Sequence, residues 1–191
     1  MQKIKRFISD LYEYRPFPKG YELISMYFLI FFAGCVTGWI YEEIFYFVVE
    51  HKTRNSGFFY GPYLPVYGFG VLLILICVQR VKKHPLLVFF GSMVATGVLE
   101  YVTGKVMYAI WHARWWDYRG LFLNIEGFVC LRSVLTFAVG GLTAVYVMEP
   151  FIRRFCVDRP KHKKYIALVF FCIMLTDVIL TFLFREHTPQ I

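Results

Sequence analysis

Five long apolar runs alternate with short polar segments along the chain, over residues 23–49, 58–78, 85–111, 127–148 and 165–184. A helix rises 1.5 Å per residue, so roughly 20 residues cross the ~30 Å hydrocarbon core of a bilayer. Each run is long enough to do so. The pattern predicts an all-α, polytopic membrane protein with about five transmembrane helices, in two repeated helix hairpins plus a C-terminal helix. The second run differs from the others, because Gly61, Pro62, Pro65, Gly68 and Gly70 crowd its first half. Pro and Gly free backbone groups that only protein or water can satisfy at membrane depth, so that half reads as a loop that dips in, or a broken helix end.

Ahead of the first run, Ile4, Phe7, Ile8, Leu11 and Tyr12 recur at helical spacing among Lys3, Lys5 and Arg6, and Pro16 and Pro18 end the pattern. This predicts a short amphipathic helix on the inner leaflet, serving as a surface anchor or a docking element. A cleaved signal peptide is not expected, since the first apolar run starts after residue 20 and far exceeds a 7–15-residue signal core. The expected organisation is a cytoplasmic amphipathic segment over 1–20 and a first membrane hairpin with an outer Gly/Pro loop over 21–80. A second hairpin with an outer WWDY loop follows over 81–150, then a basic cytoplasmic loop and the fifth helix over 151–191.

Composition reinforces the membrane reading. Of the 191 residues 58% are hydrophobic, 20% aromatic and only 18% charged, with mean hydropathy +0.53. An ordinary soluble domain is about 45–50% apolar and about 25% charged. A 22.6 kDa globule has too little interior for that excess, which excludes a soluble enzyme. The basic balance, 21 Lys and Arg against 13 Asp and Glu, does not indicate nucleic acid, because the cations gather at the ends of apolar runs. Lys3, Lys5, Arg6, Arg15 and Lys19 precede the first run, Arg80, Lys82 and Lys83 follow the second, and Arg153, Arg154, Arg159, Lys161, Lys163 and Lys164 precede the fifth. The alternate connections carry only Lys52, Arg54, Arg114 and Arg119, with Arg185 after the last run. By the positive-inside rule the N-terminus is cytoplasmic and the C-terminus outside the cell membrane.

Six charges stand inside the apolar runs: Glu42, Glu43, Glu100, Lys105, Arg132 and Asp177. A charge at the bilayer centre costs roughly 2.5–3.5 kcal/mol or more unless it is paired or wetted, so these face an interior. Counted at 1.5 Å per residue, Glu42 and Glu43 lie about 9–10 Å below the outer end of their run, Asp177 about 10 Å and Glu100 about 15 Å. The functional reading is a polar vestibule open to the outside, lined by acids and countered by Lys105 and Arg132; the alternative is structural pairing between helices. Adjacent on a helix, Glu42 and Glu43 point about 100° apart, so one lines the site and the other meets a neighbour.

The outer loops, 54–70 and 114–127, add Arg54, Asn55, Tyr60, Gly61, Pro62, Trp116, Asp117 and Asn124 as candidate substrate-binding residues beside Glu42, Glu43, Glu100, Asp177 and Arg132. Their aromatics suit an interfacial belt, but Gly57, Gly61, Pro62 and Pro65 together present backbone groups to packed protein or to a ligand. The two halves echo each other. Thr37-Gly38 precedes Glu42, Thr96-Gly97 precedes Glu100, and each run is followed by a loop with a Gly-x-Phe and a residue tolerant of positive φ, Gly61 or Asn124. Gly34 and Gly38, and Gly91 with Ala95, are small-residue pairs suited to close helix contact.

Motif tests remove several chemistries. The stretch 97–106 has six residues between its glycines, lacks Ser or Thr after Lys105 and is no phosphate loop. GxSxG, HExxH and CxxC are absent. The five cysteines, mostly in apolar runs, act as small hydrophobes rather than metal ligands or disulfides, and the five histidines lack ligand spacing. No cofactor or metal is implied, and no catalytic residue stands out.

The strings RNSGFFYGPYLPVYGFG and RWWDYRGLFLNIEGFVCL resemble the bacterial integral-membrane ABC-transporter type IV permeases, the CmpB-like family. Gly57, Phe58, Gly61, Pro62, Pro65, Tyr67 and Gly68 match its first motif. Trp115, Trp116, Asp117, Tyr118, Asn124, Gly127, Cys130 and Leu131 match its second, and Glu42 and Glu100 match acidic positions in the preceding spans. Ser56, Arg119 and Glu126 depart from the pattern, where Arg, Ser and Asn are expected. The resemblance implies a transport-related permease subunit that works as a homo-oligomer or with other membrane subunits, including a separate ABC ATPase, and names no substrate. The rival readings are a membrane-embedded enzyme or lipid-binding protein at the outer leaflet, with Arg54, Arg114 and Arg119 holding a phosphate, or an accessory subunit without a ligand.

Overall fold

The computed structural model describes residues 18–51, 57–158 and 160–184. The amphipathic pattern at Ile4 to Tyr12, and Arg54 and Asn55 of the first outer loop, lie outside the described residues. Six α-helices follow in order: α1 Tyr21–Phe45, α2 Pro65–Val78, α3 Pro85–Trp111, α4 Leu131–Thr143, α5 Glu149–Asp158 and α6 Pro160–Phe184. α1 widens into a π-type turn over Tyr46–Glu50, and another over Ala144–Met148 joins α4 to α5. The protein is therefore an all-α, polytopic membrane protein.

Among the described residues, four stretches are long and apolar enough to cross a membrane: Tyr21–Val49, Pro85–Trp111, Leu131–Asp158 and His162–Phe184. Pro65–Val81 shares their composition but not their length. Its α-helical part rises only about 21 Å, short of the ~30 Å core. Leu64, extended at φ −119° and ψ 103°, obeys the restriction that the following proline imposes, and Pro65 opens α2 where its missing N–H costs nothing. The first half of the expected second span is accordingly the irregular segment 57–64. The fourth span also starts later than the hydropathy suggests. Residues 127–130 belong to the outer loop, because Cys130 caps α4 in a reciprocal bond with Ser133. The basic stretch expected as a loop from 151 is helical as far as Asp158.

Glycines set the packing of α1 on α2. Gly34 lies against Val71 and Gly68, Gly68 against Cys35 and Phe31, and a Cβ on Gly38 would enter the Tyr67 ring. α3 turns Val88, Ser92, Thr96, Glu100 and Gly104 inward, one residue every four, and meets α4 where Ser92 lies against Gly141 and Gly97 against Val134. These side chains are small or polar, so the backbones approach closely, as in membrane helix pairs. α6 lies on α1 through stacked Phe32 and Phe170 rings, 4.4 Å between centroids. Ile24, Val94, Val98, Leu168 and Leu183 stay exposed on the outside of the bundle, the surface that lipid covers. At the end that carries the basic connections, buried Lys163 bonds Glu22 at 3.1 Å and the Cys156 carbonyl at 2.8 Å. There Tyr146 donates to the Lys82 carbonyl at 2.6 Å.

Candidate functional site

Glu100 sits on the inward stripe of α3, 5% exposed. A carboxylate so placed needs donors, and the chain supplies two from different elements: Ser133 Oγ donates to Oε2 at 2.7 Å and Tyr118 Oη to Oε1 at 2.9 Å. Ser133 is available because it opens α4, where its hydroxyl also accepts from the Cys130 N–H at 3.1 Å. Tyr118 reaches down from the outer loop. Burial, the adjacent Glu100 charge and the nearby Glu42 charge push its phenol well above the usual tyrosine range, so it remains a donor.

Glu42 accepts from Tyr67 Oη of α2 at 3.0 Å. Glu43 beside it is half-buried, as Glu42 is. The charge of Glu42 acts on Tyr118 as well, so the two carboxylates, Tyr67, Tyr118 and Ser133 form one polar cluster under the second outer loop. Sequence reasoning left these hydroxyl donors out of the site. The available signal was a polar residue inside an apolar run, together with the three-residue spacing of Cys130 and Ser133 that marks a cap.

That loop is held largely by its own backbone. Tyr118 N–H bonds the Gly127 carbonyl at 2.9 Å and Ile125 N–H the Val129 carbonyl at 2.8 Å. Trp116 Nε1 donates to the Phe128 carbonyl at 2.9 Å, and Asn124 bridges Leu121 and Gly127. Asn124 does not take the positive φ it tolerates; Leu123, Glu126, Gly120 and Gly127 do. Arg119 grips Asp117 through Nε and Nη2, and with its own backbone N–H holds the Asp117 carboxyl down at about 2. Arg114 donates to the Glu126 carbonyl at 3.0 Å and covers the Phe128 ring.

The expected counter-charges act elsewhere. Lys105 pairs with Glu126 of the loop at 2.5 Å and lies over the Tyr101 and Phe128 rings. Arg132 stacks on Phe45 at 4.7 Å. Hydroxyl donors meet both carboxylates, Tyr67 at Glu42 and Tyr118 with Ser133 at Glu100, and such donation suits low dielectric because it adds no second charge to desolvate.

Asp177 serves a different neighbourhood. Its carboxylate accepts the backbone N–H groups of Tyr60 and Gly61, at 3.1 and 2.8 Å, and the hydroxyls of Tyr63 and Thr181. It thereby fastens the first outer loop to α6. Tyr60 and Pro62 themselves are exposed. The two outer loops touch where the Phe58 ring meets Trp115 edge-on at 5.1 Å.

A family model described as "Putative ABC-transporter type IV" matches residues 29–182, which include both outer loops, both clustered carboxylates and Asp177. Neither the curated proteins nor the solved structures give a match.

Proposed function

Because the chain belongs to this ABC-transporter family, we propose that it is a permease-like membrane subunit of a transporter, with an acid-lined vestibule that opens on the outer face. Family and apolar helices together make it a multi-pass, transport-related membrane protein. The observation behind the vestibule is Glu100, a carboxylate 5% exposed inside a spanning helix, met by a loop tyrosine and joined by Glu42. Carboxylates kept at membrane depth face an interior or a water-filled cavity and mark ion and substrate paths. In this reading Glu42 and Glu100 meet the solute, the 114–130 loop admits it, and Asp177 keeps the neighbouring loop in place. The two hairpins act as copies of one unit, each setting a carboxylate against a hydroxyl of its second helix. The N-terminus is cytoplasmic and the C-terminus outside, as the distribution of Lys and Arg requires.

The four full-length spans among the described residues are few for a complete path, so the subunit works as a homo-oligomer or beside other membrane chains, with a separate ABC ATPase. The test is affinity purification from host membranes in mild detergent with quantitative mass spectrometry. Recovery of such an ATPase at near-stoichiometric yield supports the subunit reading. Its reproducible absence from an otherwise intact complex overturns it. The vestibule is tested apart from the partner: Glu42→Gln and Glu100→Gln chains that fold normally and fully restore a deletion strain would remove it.

A further inference from the structure

Between α1 and α4 runs a groove of about 610 Å³, within the roughly 300–1,000 Å³ typical of ligand sites. α1 contributes Gly34, Thr37, Gly38 and Tyr41, α4 contributes Arg132, Thr136, Gly140 and Thr143, and α2 closes the floor with Tyr67, Val71 and Ile74. Two contacts set the antiparallel register of the walls: Arg132 over Phe45 at 4.7 Å, and the hydroxyls of Tyr41 and Thr136 at 3.3 Å. One helical turn separates them on each wall, which brings Thr37 level with Gly140 and Gly34 with Thr143.

The groove is mainly apolar, and its charged lining residue, Arg132, second in α4, stands at the mouth next to the outer loop. Among the described residues no carboxylate pairs with it; the Phe45 ring is its recorded partner. From Arg132 to Thr143 the groove descends about 16 Å, close to half of the ~30 Å hydrocarbon core. A cation at headgroup level above an apolar slot one leaflet deep has the dimensions and polarity of a phospholipid. The Tyr41–Thr136 bond ties the walls one turn below the mouth, so an occupant must bend over that tie, which a flexible alkyl chain does and a straight helix does not.

We propose that this groove is a phospholipid site: the lipid phosphate binds Arg132, whose guanidinium suits bidentate phosphate contact, and an acyl chain lies down the groove beside Gly38 and Gly140. This inference does not depend on the transport reading, since it uses neither Glu42 nor Glu100. It predicts one tightly held phospholipid per chain.

The test is native mass spectrometry of the full chain, purified in detergent and titrated with phosphatidylglycerol or with diacylglycerol of the same chains. Gly140→Leu places its side chain in the slot, since a Cβ at Gly140 meets nothing within 4 Å, and an unshifted thermal melt shows that the variant is folded. Arg132→Gln removes the phosphate contact, and Arg132→Lys keeps the charge without the fork. Bound phosphatidylglycerol falls about tenfold in Gly140→Leu and Arg132→Gln and less in Arg132→Lys, and diacylglycerol binds the wild type about as weakly as phosphatidylglycerol binds Arg132→Gln. Two results overturn the proposal. One is wild-type lipid retention by a folded Gly140→Leu chain. The other is loss of a second copy or a partner chain from that variant with lipid occupancy unchanged, which would make the groove a helix-docking face.

Discussion

Asp117 and Tyr118 are neighbours in sequence with opposite environments. Asp117 is exposed, and Arg119 lowers its carboxyl from 3.8 to about 2. A depressed folded value stabilises the loop above the unfolded pKa, and that contribution is lost as pH falls through the folded one. The loop therefore loosens between about pH 4 and pH 2, followed by Trp115 and Trp116 fluorescence; Asp117→Asn removes this acid limb, and an unchanged profile would dissociate the pair from the loop's stability. Tyr118 is the inward counterpart. Tyr118→Phe leaves Glu100 with Ser133 alone and lowers unfolding stability by about 1.5–3 kcal/mol, the usual worth of a hydrogen bond to a charged group. Thermal melts in detergent measure this, and an unshifted midpoint would mean that Tyr118 contributes nothing to holding the carboxylate. A departure from the family pattern also acquires a physical meaning at this scale. Glu126 stands at φ 51°, a left-handed position where Asn, the residue expected there, is at ease. In this chain Glu126 uses the position to reach Lys105 and Tyr101 instead.

Glycines act at the level of the elements, and they do so unequally. At Gly38 a Cβ would collide with the Tyr67 ring, whose hydroxyl holds Glu42. Gly38→Ala thus separates α1 from α2 and disturbs the carboxylate, and overpacking of this kind costs about 1–3 kcal/mol. Gly140→Ala meets open space and is neutral or gains up to about 1 kcal/mol of helix propensity. Parallel melts of the two alanine variants check the contrast; equal effects would mean that α1 and α2 are not held at contact distance. The GxxxG pair over Gly34 and Gly38 was legible as a close-contact face. That its partner is α2 of the same chain, with the opposite edge facing a groove, was not, because spacing along one helix carries no information about which helix lies beside it.

Over the whole molecule, the fold divides into a basic end tied by Lys163, Glu22 and the Cys156 carbonyl and a looped end where the carboxylates lie. The charge distribution predicts which end faces the cytoplasm. In a cysteine-free background, Arg119→Cys reacts with a membrane-impermeant maleimide in intact cells, and Lys83→Cys reacts only after permeabilisation. The reverse pattern would invert the chain and turn the vestibule inward.

Sequence by itself determined the membrane class, because 20-residue apolar runs have no stable place but a bilayer, and the interruption of the second run, because Pro65 cannot extend a helix backwards from α2. It also indicated that charges inside the apolar runs need partners, since a lipid-facing charge costs too much, but left open which of Glu42 and Glu43 faces the interior. Tertiary structure decided their partners. Hydropathy registers that a charge needs satisfying but not by what, and the answer came from hydroxyls and backbone N–H groups as far away in the chain as Tyr63 is from Asp177. Lys105 and Arg132, matched to the acids by sign alone, were assigned to Glu126 and Phe45 by geometry. Long-range pairing of this kind depends on helix register, and register is fixed only when small residues on both faces let the backbones meet.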